Sequence, residues 1–202
     1  MTPPTLPETS RPAMSVDSHR SDADAVTQVS CAVVTISDTR SEQDDASGAR
    51  AKALLHDAGH AVEFYRIVPD EGEKIRSVLL HLAGQVEAVV TTGGTGIAQR
   101  DTTIEVAERL IRKPLPGFGE LFRMLSFESI GPAAMLSRAT AGLYGLEDGP
   151  AETLLFCCPG SPDAVELALG RLIVPDLRHV VHQMKAELAP SPARLSPPEL
   201  DS

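Results

Sequence analysis

Short apolar runs alternate with longer segments of helical spacing along the middle of this chain. The first run, residues 29–36, is rich in β-branched side chains, which are typical of buried strands. It is followed by a helical segment over 47–58, which Gly59 ends, and by a second strand over 61–68. The same pattern predicts strands at 86–90 and 153–157, a short strand pair near 139–144, and helices at 72–83, 103–112, 118–127, 161–169 and 176–188.

Strands that alternate with helices of this length indicate an α/β fold, in which a parallel sheet is covered on both faces. In such sheets the ligand lies beyond the carboxyl ends of the strands, at a switch point in the strand order. We therefore expect the functional residues directly after the predicted strands.

Composition divides the chain into three parts. The 202 residues are enough for one domain with a substantial core, and the hydrophobic content of 42% is typical of a globular protein. Residues 1–27 and 189–202 are polar and proline-rich, so they predict a disordered leader and a disordered tail around a folded domain at 28–188. The sequence contains no apolar run of the length that a signal peptide or a membrane span needs.

The net charge of −10 argues against nonspecific nucleic-acid binding, which requires a basic surface. An anionic ligand must therefore meet a local cationic cluster, for which Arg100 and Arg138 are the candidates. Three cysteines in a chain of this length fit a reducing cytoplasm, and the adjacent pair Cys157 and Cys158 predicts buried thiols on opposite faces of a strand. We expect a cytoplasmic protein.

The glycine-rich stretch at 91–105 carries the most chemical information. It lies between a predicted strand and a predicted helix, where backbone N–H groups and the helix end favour an anion such as phosphate. No lysine follows Gly96, so it is not a P-loop, and the third glycine of a dinucleotide-binding fingerprint is absent. A tight turn without a ligand remains an alternative.

Two aspartates follow predicted strands at this mouth. Asp70 suits the N-cap of the helix at 72–83, with Glu73 at capping-box spacing, and suits a metal ion equally well. Thr102 and Glu105 form a second possible capping box, which leaves Asp101 without a structural role. Asp101 is therefore the first candidate for chemistry.

Three further segments add polar groups at strand or helix ends. Ser37 and Asp38 follow the first strand, and could contact a phosphate and a base or ribose or form a simple turn. Gly160 and Ser161 follow the last strand, and Ser161 is expected to cap a helix that begins at Pro162. Ser137 and Arg138 precede the predicted strand pair.

With these segments in order, the chain resembles the MoaB/Mog family of molybdenum cofactor biosynthesis proteins, over about 160 residues. The segment 117–128 is more similar to the B-type branch. The motifs that carry the resemblance are 35–40 (TISDTR), 44–48 (DDASG), 68–71 (VPDE), 92–96 (TGGTG), 100–105 (RDTTIE), 137–142 (SRATAG) and 159–162 (PGSP).

The resemblance implies a three-layer α/β sandwich around a mostly parallel sheet, assembled as a homotrimer or homohexamer. It also implies an adenylyltransferase that attaches AMP from Mg-ATP to the terminal phosphate of molybdopterin and releases pyrophosphate. Asp70 and Asp101 take the positions of the acids associated with activity, and are expected to hold Mg²⁺. The residues expected to bind molybdopterin or ATP are Ser37, Asp38, Gly93, Gly94, Thr95, Gly96, Arg100, Ser137, Arg138, Gly160 and Ser161.

Two other functions remain open at this point. Some B-type members lack adenylylation, so a noncatalytic protein that binds molybdopterin and delivers it to a partner is an alternative, although this chain keeps both acids. A generic nucleotide-binding module is a second alternative. The aromatic-rich segment 118–127 predicts either a subunit contact or a buried core helix.

Overall fold

The computed structural model describes residues 26–146 and 152–188. The predicted leader and tail lie outside the described residues, apart from Val26 and Thr27. The described part forms one six-stranded sheet with helices on both faces, which confirms the predicted three-layer α/β architecture.

Six strands form the sheet in the spatial order β2-β1-β3-β6-β5-β4. The first four of these pair in parallel, whereas β5 is antiparallel to both β6 and β4. The sheet is therefore mostly parallel, as expected. The strands are β1 (Ser30–Ile36), β2 (Ala61–Val68), β3 (Ala88–Thr92), β4 (Ile111–Pro114), β5 (Thr140–Gly145) and β6 (Glu152–Cys158).

The helices divide between the two faces of the sheet. One core packs α1, α4, α5 and α6 against the sheet, and the other packs α2 and α3 against the opposite face. A short 3₁₀ helix follows α4, and a π-helical turn joins α5 to α6. The helices are α1 (Ala46–Asp57), α2 (Gly72–Leu82), α3 (Thr103–Leu110), α4 (Pro116–Ile130), the 3₁₀ helix (Gly131–Leu136), α5 (Pro162–Ala168), the π turn (Leu169–Ile173) and α6 (Val174–Leu188).

One strand was missed by the sequence analysis. The predicted helix at 103–112 ends at Leu110, because Ile111 takes extended backbone angles and begins β4. The predicted strand pair near 139–144 is the single strand β5, whose antiparallel partners are β4 and β6. The four residues of β4 contain one apolar side chain that continues the helical spacing, so periodicity alone could not separate them from α3.

The remaining predicted elements are confirmed to within a few residues, and so is the placement of the cysteines. Cys31 and Cys158 lie in one core and Cys157 lies in the other. Burial raises the pKa of Cys31 and of Cys157 to about 12, so these thiols stay protonated. They are structural core residues.

Helix α4 combines the two alternatives that the sequence left open. Phe118 and Phe122 are buried in the core, whereas Met124 and Phe127 are 56% and 59% exposed. One side of the helix is therefore core and the other is an apolar surface. No helix within the described ranges is long and apolar enough to cross a membrane.

Candidate functional site

The carboxyl ends of β1, β3 and β6 open into one cleft of about 550 Å³. Parallel pairing brings these strand ends to the same edge of the sheet. The antiparallel strand β5 contributes from its other end, through the residues that precede it. The residues that line the cleft are Ile36, Ser37, Thr39, Arg40, Gly93, Gly94, Thr95, Gly96, Asp101, Leu136, Ser137, Pro159, Gly160 and Ser161.

Most of the predicted site residues therefore lie together. Four do not line the cleft: Asp38, Asp70, Arg100 and Arg138. Among these, Asp38 and Arg100 are exposed, whereas Asp70 and Arg138 are partly buried. Each of the two partly buried residues contacts the glycine loop or the start of α3, as described below.

The glycine loop, residues 93–96, takes a path that only glycine accommodates at two positions. Gly93 and Gly94 have φ values of +97° and +61°. A Cβ on Gly93 would lie 2.3 Å from the Ile36 carbonyl oxygen, and a Cβ on Gly94 would lie 2.2 Å from Thr103 Oγ1. The loop is thereby wedged between β1 and α3, with backbone atoms forming one wall of the cleft.

Hydrogen bonds fix both ends of this loop. The Gly93 N–H donates to the carbonyl of Cys158 at 3.0 Å, and the Thr103 N–H donates to the carbonyl of Gly94 at 3.0 Å. The Thr103 hydroxyl is fully buried beside Gly94, and no described residue forms a hydrogen bond with it. A buried hydroxyl without a hydrogen-bond partner lowers the stability of the fold. This destabilising group lies directly beside the glycine loop.

Asp101 has a structural contact that the sequence analysis did not expect. Its Oδ2 accepts a hydrogen bond from the Ala98 N–H at 2.9 Å, and its own N–H donates to the Ala98 carbonyl at 2.9 Å. The prediction that Asp101 has no structural role is therefore wrong. Within the described residues no donor contacts its second oxygen, Oδ1, which remains available at the cleft wall.

Asp70 does not cap α2. The N-cap of this helix is Glu71, which makes no capping hydrogen bond through its side chain. The Asp70 carboxylate turns instead toward the start of α3, where Oδ1 lies 3.4 Å from the Thr102 nitrogen. Its backbone N–H donates to Asp38 Oδ1 at 2.9 Å. This hydrogen bond holds the side chain of the exposed Asp38 next to Asp70.

The second expected capping box is also absent. Thr102 is the N-cap of α3, but its side chain makes no capping hydrogen bond. Glu105, its expected partner, forms an ion pair with Arg138 instead. The competing interaction is a charge-assisted hydrogen bond, which is stronger than a neutral cap.

Negative charge accumulates around Asp70. Burial, followed by the nearby Asp101 and Asp38 carboxylates, raises its pKa above the ordinary value, against an opposing hydrogen bond from Thr102. Such a carboxylate is stabilised by an added cation. No cluster of three or more metal-ligating side chains occurs in the described ranges. Asp70 and Asp101 offer two carboxylates, a donor set that Mg²⁺ uses where substrate phosphates supply further ligands.

Arg138 holds the glycine loop from outside the cleft. Its Nε donates to the Thr95 carbonyl at 2.9 Å and its Nη2 donates to the Gly96 carbonyl at 2.6 Å, while Nη1 pairs with Glu105. The guanidinium is thus engaged by protein acceptors. Its geometry is that of a loop clamp, and the anion-binding role expected from the sequence stays a prediction.

The cation that does line the cleft is Arg40, which the sequence analysis left outside its candidate set. Arg40 Nη2 donates to the Gly160 carbonyl at 3.0 Å, and Nη1 lies 3.4 Å from Asp45 Oδ1. Ser47 donates to the same Gly160 carbonyl at 2.7 Å. The motif 35–40 contained the arginine, but only the fold could bring it to the end of β6.

Asp45 anchors this arrangement from the interior. It is 2% exposed, and it accepts hydrogen bonds from Thr35 at 2.5 Å, Tyr65 at 2.8 Å and the Gly48 N–H at 3.0 Å. Burial by itself would raise its pKa, but these three hydrogen bonds and Arg40 outweigh burial, so the pKa lies below the ordinary value of 3.8. Arg40 therefore lies beside a carboxylate that is ionised at neutral pH.

Ser161 begins α5 as predicted. Its Oγ accepts a hydrogen bond from the Ala164 N–H at 3.2 Å, and Pro162 is the first helical residue. Ser37 has a local role too, since its Oγ accepts from the N–H groups of Thr39 and Arg40. That turn was one of the two interpretations open from the sequence.

A second cavity of about 520 Å³ adjoins the cleft. The two share Ser137, Pro159 and Ser161, so they form one continuous depression. The second cavity has a more apolar lining, which includes Phe122 and Leu167. A depression with one polar, glycine-lined half and one apolar half suits a ligand that joins a phosphate to a ring system.

Comparisons with known proteins identify relatives of this chain. A family model described as a probable molybdopterin binding domain matches residues 32–179. The chain is 47% identical over 177 residues to molybdenum cofactor biosynthesis protein B of Bacillus subtilis, a match that covers 86% of this chain and 99% of that protein.

Two solved structures have a similar fold. A crystal structure of a molybdenum cofactor biosynthesis protein B has a TM-score of 0.73 and 44% identity, and the match covers 80% of this chain and 98% of that one. The tungsten cofactor synthesizing protein MoaB from Pyrococcus furiosus has a TM-score of 0.70 and 36% identity, covering 77% and 96% of the two chains.

Proposed function

This chain belongs to the molybdenum cofactor biosynthesis protein B family, and we propose that it binds molybdopterin and adenylylates its terminal phosphate. Its function lies in molybdenum cofactor biosynthesis. The finer proposal is a nucleotidyl transfer in which a phosphate oxygen of molybdopterin attacks the α-phosphorus of ATP, and pyrophosphate leaves.

The observation that carries this proposal is that the carboxylates of Asp70 and Asp101 both lie close to the glycine loop. A Cβ on Gly94 would lie 2.9 Å from Asp70 Oδ2, and one on Gly96 would lie 2.5 Å from Asp101 Oδ2. Both carboxylates therefore lie against the loop whose backbone lines the cleft. Two acids beside a glycine loop can hold a metal ion there, which suits a reaction in which phosphate charge must be neutralised.

Mg²⁺ held by Asp70 and Asp101 would supply a positive charge that neutralises the departing pyrophosphate. The protein's own residues would position the two substrates. Backbone groups of the glycine loop would contact the triphosphate, and Arg40 would contribute a positive charge from the lining of the cleft. The attacking group is already an ionised phosphate, so the site needs no strong general base, and orientation would carry most of the rate enhancement.

The adjoining apolar cavity is the proposed position of the pterin. Phe122 and Leu167 would contact the ring, and Ser126 or Ser137 could hydrogen-bond its polar edge. The terminal phosphate would then point through the shared boundary at Ser137 and Ser161 into the glycine-lined half. This orientation brings the nucleophile and the nucleotide together at the loop.

A homotrimer or homohexamer is part of the proposal. The outer side of α4 and the 3₁₀ helix exposes six large apolar side chains, whereas exposed hydrophobic residues of an ordinary monomer are scattered singly. This surface consists of Leu121, Met124, Phe127, Ile130, Met135 and Leu136, each at least 47% exposed. Light scattering on the purified chain tests it, since a monomeric mass at micromolar concentration would contradict an interface here.

The decisive experiment incubates purified protein with molybdopterin, ATP and Mg²⁺ and follows adenylylated pterin by mass spectrometry. We expect product with the wild-type chain and loss of product with Asp101→Asn, while molybdopterin binding is retained. The matched control is Asp57→Asn, an exposed aspartate at the last residue of α1 that lines neither the glycine-loop cleft nor the adjoining cavity. Tight molybdopterin binding without any product would instead favour the noncatalytic binding protein.

A further inference from the structure

Three arginines from three different elements line one cavity on the far side of the molecule. Arg76 comes from α2, Arg109 from the last turn of α3 and Arg112 from the edge strand β4. This arginine cavity has a volume of about 530 Å³. Its remaining lining consists of Leu80, Leu110, Gly145 and Leu146.

Within residues 26–146 and 152–188, no ion pair neutralises the arginine cavity. None of its lining residues is acidic, and no carboxylate of the described residues forms an ion pair with any of its three guanidiniums. Arg109 does act electrostatically on Glu105, but that carboxylate is already paired with Arg138. In a chain of net charge −10, three arginines around one depression make a local field that attracts anions.

One of the arginines is held in place. Arg112 Nη2 donates to the Leu146 carbonyl, which fixes its guanidinium at the end of β5. The leucines provide apolar contact beside the charges, since Leu80 and Leu110 are partly buried and Leu146 is 47% exposed. The cavity thus combines charge with an apolar floor, which is the pattern of a site for an organic anion.

This cavity is distinct from the glycine-lined cleft. Gly145 pairs with Glu152 at the first residue of β6, whereas the cleft lies at Cys158, the last residue of that strand. Seven residues of strand correspond to roughly 20 Å. A ligand in the arginine cavity would therefore not touch the proposed reaction centre.

We propose that Arg76, Arg109 and Arg112 form a second binding site, which takes a small organic phosphate ester. Guanidinium groups pair with phosphate oxygens through two parallel hydrogen bonds, and three of them can surround one dianion. The leucines would contact the apolar body of the ester. Inorganic phosphate shares the charge but lacks that body, so it would bind more weakly.

The test is a residue-resolved titration of the full-length ¹⁵N-labelled chain with phenyl phosphate, and separately with inorganic phosphate, at constant ionic strength. We expect phenyl phosphate to shift the amides of Arg109, Arg112, Gly145 and Leu146. Arg76→Gln and Arg109→Gln should each weaken that binding at least ten-fold. The matched control is Arg66→Gln, which removes the same charge from β2 and should change the affinity less than two-fold.

Three results would overturn the proposal. Amide shifts confined to the glycine loop would place phosphate only in the cleft, which also leaves the proposed adenylylation site intact. Equal weakening by Arg66→Gln would indicate nonspecific charge attraction. Absence of shifts at the cavity would mean that its arginines are already neutralised, by the acids that follow Leu146 in the sequence or by a second copy of the chain, which a concentration-dependent mass would identify.

Discussion

Arg138 fastens the glycine loop by donating from Nε to the carbonyl of Thr95 at 2.9 Å. A second donor of the same guanidinium reaches Gly96, and a third pairs with Glu105, whose pKa this hydrogen bond from Arg138 lowers. The planar guanidinium has five N–H donors in a fixed fork, which lets this one side chain serve a carboxylate and two carbonyls at once. The loop is therefore held from its outer side by a residue that does not enter the cleft.

Arg138→Lys should separate charge from geometry at this clamp. Lysine keeps the positive charge but cannot reach the two carbonyls and Glu105 together. We expect adenylylated product to form about 10-fold to 100-fold more slowly, because small displacements of a positioning loop are costly. Glu105→Gln is the control, since it keeps an acceptor for Arg138 and should slow the reaction less. Equal kinetics for Arg138→Lys and the wild type would contradict a clamp.

The sequence predicted which segments meet at the strand ends, because hydrophobic periodicity located the strands and parallel pairing placed their ends together. It did not predict what each side chain does there. Glu105 and Arg138 are 33 residues apart, and their ion pair replaces the local cap that Thr102 and Glu105 could have formed. Local rules give the candidates for each contact, but tertiary contacts decide among them.

Gly94→Ala should disable the loop. Gly94 has a φ of +61°, and an added Cβ would lie 2.2 Å from the buried Thr103 hydroxyl. We expect a loss of unfolding free energy of about 1–3 kcal/mol, together with loss of product formation. Chemical denaturation measures the first and the mass assay measures the second.

The matched control for that variant is Gly117→Ala. Gly117 lies in the first turn of α4, and a Cβ there would meet no atom within 4 Å. Alanine should be neutral or stabilise the protein by up to about 1 kcal/mol, because it reduces the freedom of the unfolded chain. If both alanine variants behaved alike, the strained backbone of Gly94 would not be what the loop requires.

Arg40 shows the limit of the sequence in another way. Its motif was visible, but its proximity to Gly160 spans 120 residues and depends on β1 and β6 ending at the same edge of the sheet. Asp45 was likewise visible as part of a motif, without any sign that Thr35 and Tyr65 would hydrogen-bond it in the interior. Only the fold reveals this buried carboxylate and the arginine that it holds.

Asp45→Asn should make the unfolding free energy depend less on pH in the acid range. Because the pKa of Asp45 is depressed in the folded protein, its stabilising contribution is present above the ordinary value of 3.8 and is lost as pH falls through the folded pKa. The variant lacks that contribution, so its unfolding free energy should be about 2 kcal/mol lower at pH 7 and should fall less steeply below pH 4. Denaturant titrations between about pH 2.5 and pH 7 measure both.

Tyr65→Phe provides the comparison for Asp45. It removes one of the hydrogen bonds to the carboxylate and leaves the charge and the Arg40 contact in place. We expect a smaller loss, of about 1 kcal/mol, and an acid limb that remains steeper than that of Asp45→Asn. Parallel profiles for Asp45→Asn and the wild type would show that the carboxylate is not the source of the pH dependence.

Asp70→Asn should stabilise the fold while slowing the proposed reaction. Burial and the Asp101 and Asp38 carboxylates raise the pKa of Asp70, so the folded state binds its proton more tightly than the unfolded state does. Stability therefore falls as pH rises from the ordinary pKa through the raised one, and it stays lower at neutral pH. An uncharged side chain at this position does not incur that cost, so the melting temperature should rise.

The same change removes one of the two acids that we propose hold Mg²⁺, and we expect product formation to fall by about 100-fold to 1,000-fold. Glu71→Gln is the control, because this neighbouring exposed acid pairs with Lys74 and should leave the reaction unchanged. Thermal melts with and without Mg²⁺ complete the test: Mg²⁺ should raise the melting temperature of the wild type and not that of Asp70→Asn. A variant that is less stable than the wild type at neutral pH would mean that Asp70 serves the fold, and its raised pKa would then not mark a functional site.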